Sequence, residues 1–428
     1  MPNVSRVRAS RALAAAVLVG VAIALCACVS DSSGSAFSAP KPSPTAGLAV
    51  PTIAPTPTAI PIPRDRPAAV VAGAPISGAD YADAVMRNTI ALVATRVIAN
   101  LLLGGVGDIG YASVFGASNI HEGWPLYVQD HNHLDTYGPI TYLAYLPFEL
   151  AFPLHNLRHD YLPAAHAAAI TFDLLSIFGL FVLGRRLRAG DDGRRLGLVL
   201  AFAWAASPFT FLNLVANTND GLVPLFVIWA LVAVASPVRR GILLGLGAAA
   251  KFAPLALAGL FATANGDRGR RTALFAVSMG AAVALPILAY AKPGGLGVFW
   301  SQTLGFQFQR HSFLSIWGQY PQIEPLKVAI QAGTAALAVA ASIPVRRRTT
   351  AQVGALAGAI LIALQLSAVH WYFFYIAWFM PGVLLAVLAV GGRAPREAEH
   401  DGAGLDEWAP ALTPPGAAAP ASHRAALS

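Results

Sequence analysis

Long apolar runs separated by short arginine clusters constrain this chain more than any other feature. Residues 164–184 form one such run, which ends at Arg185, Arg186 and Arg188. A run of about 20 apolar residues is long enough to cross a bilayer as a helix. Only helices and closed barrels satisfy their backbone in lipid, and the runs lack the alternation of barrel strands. They predict an all-α, polytopic transmembrane helix bundle of about 8–11 membrane segments, with external loops.

The charge and cysteine content agree with a membrane bundle. They argue against a nucleic-acid-binding protein, a disulfide framework and a zinc site. Only 12% of the 428 residues are charged, compared with about 25% in soluble domains. The net charge of +8 comes from arginines between apolar runs, the pattern of cytoplasmic loops, so no nucleic-acid partner is expected. Cys26 and Cys28, both in the first apolar run, predict neither a disulfide framework nor a zinc site.

Composition divides the chain into four parts. Residues 1–29 have a basic start and an apolar run, which predicts a signal-like or anchor segment. Residues 30–85 are rich in Pro, Ser and Thr and predict a disordered linker. Residues 86–392 form the membrane domain, and residues 393–428 predict a disordered cytoplasmic tail.

The apolar run at 89–106 leaves the start of the membrane domain open. It is short for a span and contains Arg96, which snorkels, faces the protein interior or marks an interfacial helix. If residues 12–29 and 89–106 both span, Asp108 faces the cytoplasm. That side conflicts with the external position that the other loops predict for Asp108. An interfacial 89–106 helix, a first run that does not stay in the membrane, or translation from Met86 would each remove this conflict.

The run at 241–264 predicts a re-entrant hairpin. It has arginines on both sides and Lys251 in its middle. Basic flanks belong on the cytoplasmic side, and a single span cannot place both of its ends there. Two half-helices that turn at Lys251–Pro254 can. With this hairpin, the polar segment 107–143, a second loop at 291–325 and His370 all fall on the external side.

Two charged residues in this arrangement predict chemistry. Asp108 opens the polar segment 107–143, and a partly desolvated carboxylate there suits a general base for a hydroxyl nucleophile. A helix-end cap is the structural alternative. Lys251 lies between apolar half-helices, where a charge is costly. It predicts phosphate binding, or else pairing with Asp173 or another intramembrane acid.

Further polar residues on the external side are candidates for substrate binding. Asn219 and Asp220 end a predicted span, where capping also explains them. Arg310 and His311 lie in an aromatic, basic loop, FQFQRHSFLSIWGQYP. His370 precedes a run of aromatic residues, and an imidazole at that depth suits contact with a phosphate or a leaving group.

No metal or cofactor is predicted. His121, Asp130, His131, His133 and Asp135 are dense in possible ligands, but their spacing fits no compact zinc motif. A divalent metal stays possible without being indicated. The chain contains no Walker loop, which argues against nucleotide-driven chemistry.

An ordered set of motifs within about residues 86–392 resembles a known enzyme class. The motifs are GDIGYASVFGASNIHEGWPLY, DTYGPITYLAYLPFE, NTNDGLVPLFVIWAL, GLGAAAKFAPLALAGL, RHSFLSIWGQYP and SAVHWYFFYIAWFMPG. Together they are similar to the polyprenol-phosphate-dependent membrane glycosyltransferases of the GT-C class. Within that class they resemble glycosyltransferase family 87, the actinobacterial α-mannosyltransferase-like branch.

This resemblance implies transfer of a sugar, with mannose expected, from a polyprenyl-phosphate donor to a lipid- or wall-linked glycan. Transfer would occur with inversion, at the external face of a bacterial plasma membrane. The partners would be the donor, a glycolipid or glycan acceptor and membrane lipid, without nucleic acid. Asp108 matches the family's catalytic base, and His370 matches its late His-aromatic motif. Tyr137-Gly138-Pro139 matches its Tyr-Pro-Pro motif, with Gly in place of the first Pro, and Lys251 matches its Lys-x-x-Pro motif.

Two other functions remain open from the sequence. Broken helices and an intramembrane lysine are also typical of a transporter or flippase for a lipid-linked or small polar substrate. A non-catalytic scaffold for envelope assembly is the third interpretation. The long external segment that carries Asp108 favours the enzyme.

Overall fold

The computed structural model describes residues 78–128, 136–155, 161–309, 314–343 and 348–390. These residues belong to one compact unit, and no strand occurs among them. Predictions for residues 1–77 and 393–428 lie outside the described part. The helices are α1 (Gly78–Leu103), α2 (Asp108–His121), α3 (Pro139–Ala151), α4 (Pro163–Leu187), α5 (Gly190–Ala206), α6 (Pro208–Val215), α7 (Leu222–Val232), α8 (Pro237–Ala250), α9 (Ala258–Ala262), α10 (Arg270–Tyr290), α11 (Gly295–Trp300), α12 (Phe306–Gln309), α13 (Ile316–Gln319), α14 (Glu324–Ser342), α15 (Thr350–Leu366) and α16 (Ile376–Leu388).

Within the described residues, four helical segments are long and apolar enough to cross a membrane. They are Asp80–Leu103, Pro163–Leu187, Arg270–Tyr290 and Pro321–Ser342. Helices α5 and α6 pass the same test together but are bent by 59°. Shorter apolar helices, including α15, pack between them. The predicted all-α polytopic bundle is therefore confirmed.

The first helix settles the position of Arg96. Helix α1 begins at Gly78, inside the segment predicted as a linker, so the 89–106 run belongs to a helix of ample length. Arg96 is 2% exposed, and its guanidinium donates two hydrogen bonds to Asp173 at 2.7 and 3.1 Å. Of the three alternatives for Arg96, the structure shows the interior one.

The Arg96–Asp173 pair joins three helices. Arg96 on α1 also donates to the Ala205 carbonyl on α5, and Trp204 Nε1 donates to the Asp173 carboxylate on α4 at 2.9 Å. A buried charge is stable only when it is paired and hydrogen-bonded. The pair therefore holds α1 against the bundle and removes Asp173 as a partner for Lys251.

The predicted hairpin has the expected shape. Helix α8 ends at Ala250, and a short 3₁₀ turn, Ala253–Leu257, leads into α9. At the other end of the hairpin, Arg240 donates to the Ala262 carbonyl at 3.3 Å. The two ends of the run therefore lie together and Lys251 lies at the tip. The 14 residues of α8 separate tip and base by about 20 Å.

Arginines gather at the base of this hairpin. Arg240 pairs with Asp267 at 2.7 Å, and Arg271 donates to the Ala235 carbonyl at 2.7 Å. Arg186, at the end of α4, donates to the Val232 carbonyl. The arginine-rich end and the Lys251 end of the bundle are thus opposite ends of α8.

Two predicted loops contain helices. The polar segment 107–143 contains α2 and the start of α3, and small residues of α2, such as Gly116 and Ala117, are buried among the helices. Helices α5 and α6 bend against each other where Pro208 starts α6, since a proline restricts the residue before it. The loop 291–325 contains α11, α12 and α13.

A buried apolar cluster supports the Lys251 end of the bundle. It contains Ile140 and Tyr145 of α3, Phe172 of α4, Leu225 of α7 and Ala250 of α8. Aromatic rings pack edge to face within it, and the ring centroids of Tyr145 and Phe172 lie 5.5 Å apart. The polar residues at this end therefore rest on a packed base.

The Arg96–Asp173 pair predicts a specific pattern of stability. Asp173→Asn leaves a buried guanidinium without its counter-ion and should lower the free energy of unfolding by about 3–5 kcal/mol. Arg96→Met with Asp173→Leu removes both charges and should recover most of that loss. Thermal unfolding in detergent measures both variants.

Asp191→Asn is the matched control for this prediction. Asp191 is an exposed carboxylate in the first turn of α5, so its loss should matter little. A double variant as unstable as Asp173→Asn would contradict the proposed role of the pair.

Candidate functional site

The centre of the site is an ion pair between Lys251 and Asp220. Lys251 Nζ donates to Asp220 Oδ1 across the gap between the hairpin tip and the 3₁₀ turn Asn219–Gly221. Asp220 is 0% exposed, whereas Lys251 is 8% exposed. The sequence left the partner of Lys251 open between Asp173 and another acid, and the structure identifies Asp220.

Three aromatic rings surround the Lys251 ammonium group. Its Nζ lies 5.1 Å from the ring centre of Tyr137, 5.4 Å from that of Trp378 and 5.8 Å from that of Tyr375. Such faces attract a cation and exclude water from it. Lys251, Asp220, Tyr137, Tyr375 and Trp378 are called the Lys251 cluster below.

The turn that carries Asp220 is fixed on three sides. Thr218 Oγ1 accepts a hydrogen bond from the Asp220 backbone N–H and so caps the turn. Asn219 Nδ2 donates to Ser113 Oγ of α2 at 2.9 Å. Trp378 Nε1 of α16 donates to Asp220 Oδ1 at 3.0 Å. The turn therefore links α2, α16 and the hairpin tip.

Tyr137 is held by two other tyrosines. The Tyr127 hydroxyl donates to the Tyr137 carbonyl at 2.7 Å, and the Tyr137 N–H donates to the Tyr142 hydroxyl at 3.2 Å. Burial raises the pKa of the Tyr137 phenol well above its usual value, and the charges of Asp220 and Asp108 add to this effect. The phenol therefore stays protonated and can donate a hydrogen bond.

Gly138 explains how Tyr137 reaches the hairpin tip. The Gly138 N–H donates to the Ala250 carbonyl at 3.1 Å, and Thr141 Oγ1 donates to the same carbonyl at 2.9 Å. A Cβ at position 138 would collide with the Ala249 carbonyl. A proline there, as in the family motif that the sequence resembles, would also lack the N–H.

Asp108 lies at the edge of this cluster and is exposed. It is the first residue of α2, and its Oδ1 accepts a hydrogen bond from the Ile109 N–H at 2.9 Å. The N-terminus of a helix favours a negative charge. The same helix carries Ser113, which accepts a hydrogen bond from Asn219 in the turn that holds Asp220, so the helix that Asp108 begins packs on the Lys251 cluster.

The structure describes one of the three remaining predicted site residues, His370, and does not describe Arg310 or His311. His370 is half-buried in the loop between α15 and Tyr375. Ser315 Oγ donates to the Val369 carbonyl at 2.5 Å, so the segment after residue 313 packs on the His370 loop. Arg310 and His311 lie outside the described residues, and their roles stay predictions.

Two of the predicted substrate ligands are buried. Asn219 and Asp220 were predicted to bind substrate, but both are 0% exposed and engaged with Ser113 and Lys251. A substrate at the surface reaches Lys251 and Tyr137 first. The Asn219 amide oxygen and Asp220 Oδ2 have no hydrogen-bond partner among the described residues, so the part that these two residues play toward the substrate stays a prediction.

The possible metal ligands of the polar segment are partly accounted for. His121 Nδ1 lies 2.8 Å from Glu149 Oε2, a carboxylate that is 1% exposed. Asp130, His131, His133 and Asp135 lie outside the described residues. Within the described ranges, no group of three or more His, Cys, Asp or Glu side chains could hold a metal ion.

Sequence reasoning missed two members of the cluster. The sequence analysis did not single out Tyr375 or Trp378, yet their ring centroids lie 4.4 Å apart beside Lys251. Their spacing of three residues places them on one face of a helix. That spacing was the available signal, although it does not identify the cation that they contact.

The packing of Gly138 predicts a local effect of added volume. Gly138→Ala should push the Tyr137 loop off the hairpin tip and lower the free energy of unfolding by about 1–3 kcal/mol. Thermal unfolding in detergent measures this loss. Gly280→Ala is the control, because a Cβ at Gly280 meets open space. Equal effects of the two substitutions would contradict the proposed contact.

The comparison with known proteins names the family. The family model of Glycosyltransferase family 87 matches residues 136–369, more than half of the chain. The match includes Tyr137, Asp220 and Lys251, and it lies between Asp108 and His370. No curated protein matches the chain. The family match identifies an enzyme and sets aside the transporter and scaffold interpretations. The chain belongs to glycosyltransferase family 87 and is a membrane glycosyltransferase.

Proposed function

We propose that this enzyme transfers a sugar, with mannose expected, from a polyprenyl phosphate to a lipid- or wall-linked glycan. One observation carries the proposal. The exposed Asp108 carboxylate begins helix α2, and Ser113 of the same helix holds the turn that carries Asp220 of the Lys251 cluster. Asp108 and Lys251 are a base and a cation at one end of an apolar bundle, as sugar transfer from a phosphate requires.

The surroundings of the site favour a lipid-linked donor. Large apolar side chains are exposed along the bundle, among them Leu102, Leu103, Val277 and Leu285. A polyprenyl chain dissolves in the bilayer that covers such surfaces, and its phosphate stays at the membrane surface. The donor then reaches a membrane-level site without a nucleotide-binding domain.

The sidedness of the site follows from the arginines. Arg186, Arg240 and Arg271 lie at the base of the hairpin, and Lys251 lies at its tip. Basic residues mark the cytoplasmic side of a membrane protein. We therefore infer that the site faces outward from a bacterial plasma membrane, where the envelope glycan acceptors are.

The proposed reaction is a single displacement. The acceptor hydroxyl oxygen attacks C1 of the donor sugar, and the bond between C1 and the phosphate oxygen breaks. The phosphate leaves with the electron pair, so polyprenyl phosphate is the second product. The proton of the hydroxyl passes to the Asp108 carboxylate. Attack opposite to the leaving group inverts the configuration at C1.

Each group of the site has a stated part in this reaction. Lys251 stabilises the charge that develops on the departing phosphate. An ammonium group has three N–H donors, and Asp220 takes one of them. The Tyr137 hydroxyl donates to the same phosphate or to the sugar. His370, Arg310 and His311 are assigned to the phosphate on the sequence alone.

A transfer assay tests the donor and the base together. Purified enzyme in lipid nanodiscs receives either radiolabelled polyprenyl-phosphate mannose or nucleotide-linked mannose, with a membrane-lipid acceptor extract. Labelled glycolipid should form from the polyprenyl phosphate and not from the nucleotide sugar. Asp108→Asn should lower the rate by about 10²–10⁴-fold, because a base contributes that much to such a step.

Glu122→Gln is the matched control for the base. Glu122 is an exposed carboxylate just after the same helix, and it accepts a hydrogen bond from Trp124. Its variant should keep the wild-type rate. Equal rates in wild type and Asp108→Asn would remove Asp108 as the base. Transfer from the nucleotide sugar alone would overturn the proposed donor.

A further inference from the structure

The depth of Asp220 in the bundle argues against a role as the base. Its side chain is 0% exposed. Its Oδ1 already accepts hydrogen bonds from Lys251 Nζ and Trp378 Nε1. A carboxylate so enclosed cannot receive a proton from an acceptor hydroxyl at the membrane surface. Its effect on the reaction must pass through the group that it contacts.

That group is an ammonium ion in apolar surroundings. Lys251 follows Ala249 and Ala250, both 0% exposed, and aromatic rings face its Nζ. Burial of this kind favours the neutral amine. A neutral amine would not stabilise a departing phosphate, so the site needs a feature that keeps the proton on Lys251.

The groups that face Lys251 show which one does so. Tyr137 and Tyr375 present neutral rings, and Trp378 has no charge. Asp108 acts on Lys251 electrostatically from the exposed edge. Among the described residues, Asp220 is the acid in salt-bridge contact with Lys251.

The direction of the Lys251 side chain depends on the same contact. The Asp220 backbone is capped by Thr218, and the neighbouring Asn219 is anchored to Ser113 of α2. Helix α2 is also the helix that begins with Asp108. Lys251 and Asp108 lie on different elements, and the turn therefore sets the position of the Lys251 ammonium group relative to the Asp108 carboxylate.

We propose that Asp220 is a positioning residue, which keeps Lys251 charged and holds its ammonium group toward the donor phosphate. This inference rests on the proposed function for the identity of the anion. It predicts that removal of the Asp220 charge impairs transfer through Lys251, even when the shape of the site is kept. Asp220→Asn is the appropriate change, since the amide retains an acceptor for Trp378.

Competitive labelling of lysines with an amine-reactive reagent measures the charge on Lys251 without any substrate. Only the neutral amine reacts, and mass spectrometry compares Lys251 with the exposed Lys292 in the same sample. At mildly alkaline pH, Asp220→Asn should raise the relative labelling of Lys251 about tenfold or more, the effect of one pKa unit. Glu122→Gln removes an exposed carboxylate outside the cluster and should leave the labelling unchanged.

The pH profile of transfer supplies the second measurement. In Asp220→Asn the alkaline fall in kcat/KM should move to lower pH, because an unpaired buried ammonium loses its proton more readily. In a Lys251→Met background, Asp220→Asn should cost no further activity at any pH. A purely structural role would lower the rate equally at all pH values and would add to the loss in Lys251→Met.

The outcomes separate this inference from the proposed function. Unchanged labelling of Lys251 in Asp220→Asn overturns the inference. Altered labelling with an unmoved pH profile also overturns it, because the charge on Lys251 would then not serve transfer. If wild type uses no polyprenyl-phosphate sugar, the proposed function fails, while the labelling still decides whether Asp220 keeps Lys251 charged.

Discussion

The ion pair between Lys251 and Asp220 is the contact on which the rest of the site depends. It lies at the tip of a broken helix, in surroundings that disfavour a lone charge. The pair is possible because a 3₁₀ turn between α6 and α7 brings Asp220 to the tip. Trp378 fixes the carboxylate, and three rings enclose the ammonium group. A charged group can therefore persist at one end of an apolar bundle.

A second ion pair also stabilises buried charges elsewhere in the bundle. Arg96 and Asp173 hold α1 against α4 with a two-fold hydrogen bond, and Trp204 completes the pair. Both pairs include an indole N–H on the carboxylate, and the proposed reaction uses Lys251 of the Lys251–Asp220 pair. The contrast distinguishes a pair that joins helices from a pair that also serves a reaction.

The sequence predicted the fold class and much of the site, for identifiable reasons. Apolar runs indicate helices in lipid, and arginine clusters indicate which loops are cytoplasmic. The helix bundle and the hairpin at Lys251 could therefore be predicted from them. Asp108, Tyr137 and Lys251 could be chosen because charge or turn chemistry interrupts apolar sequence there. Their assembly could not be predicted, since it depends on contacts such as that of Gly138 with Ala250 across 112 positions of chain. The partner of Lys251 was open for the same reason: the sequence offered Asp173 or another intramembrane acid, and the packing of the helices places Asp220 there.

The central claim is that one base, Asp108, drives a single displacement at the sugar. The anomeric configuration of the product tests that claim most directly. A polyprenyl-phosphate sugar of known anomeric form is supplied, and NMR of the purified glycolipid reports the one-bond coupling at C1. The proposed mechanism predicts the inverted configuration. Retention would require an intermediate bound to a second nucleophile and would contradict this account of the site.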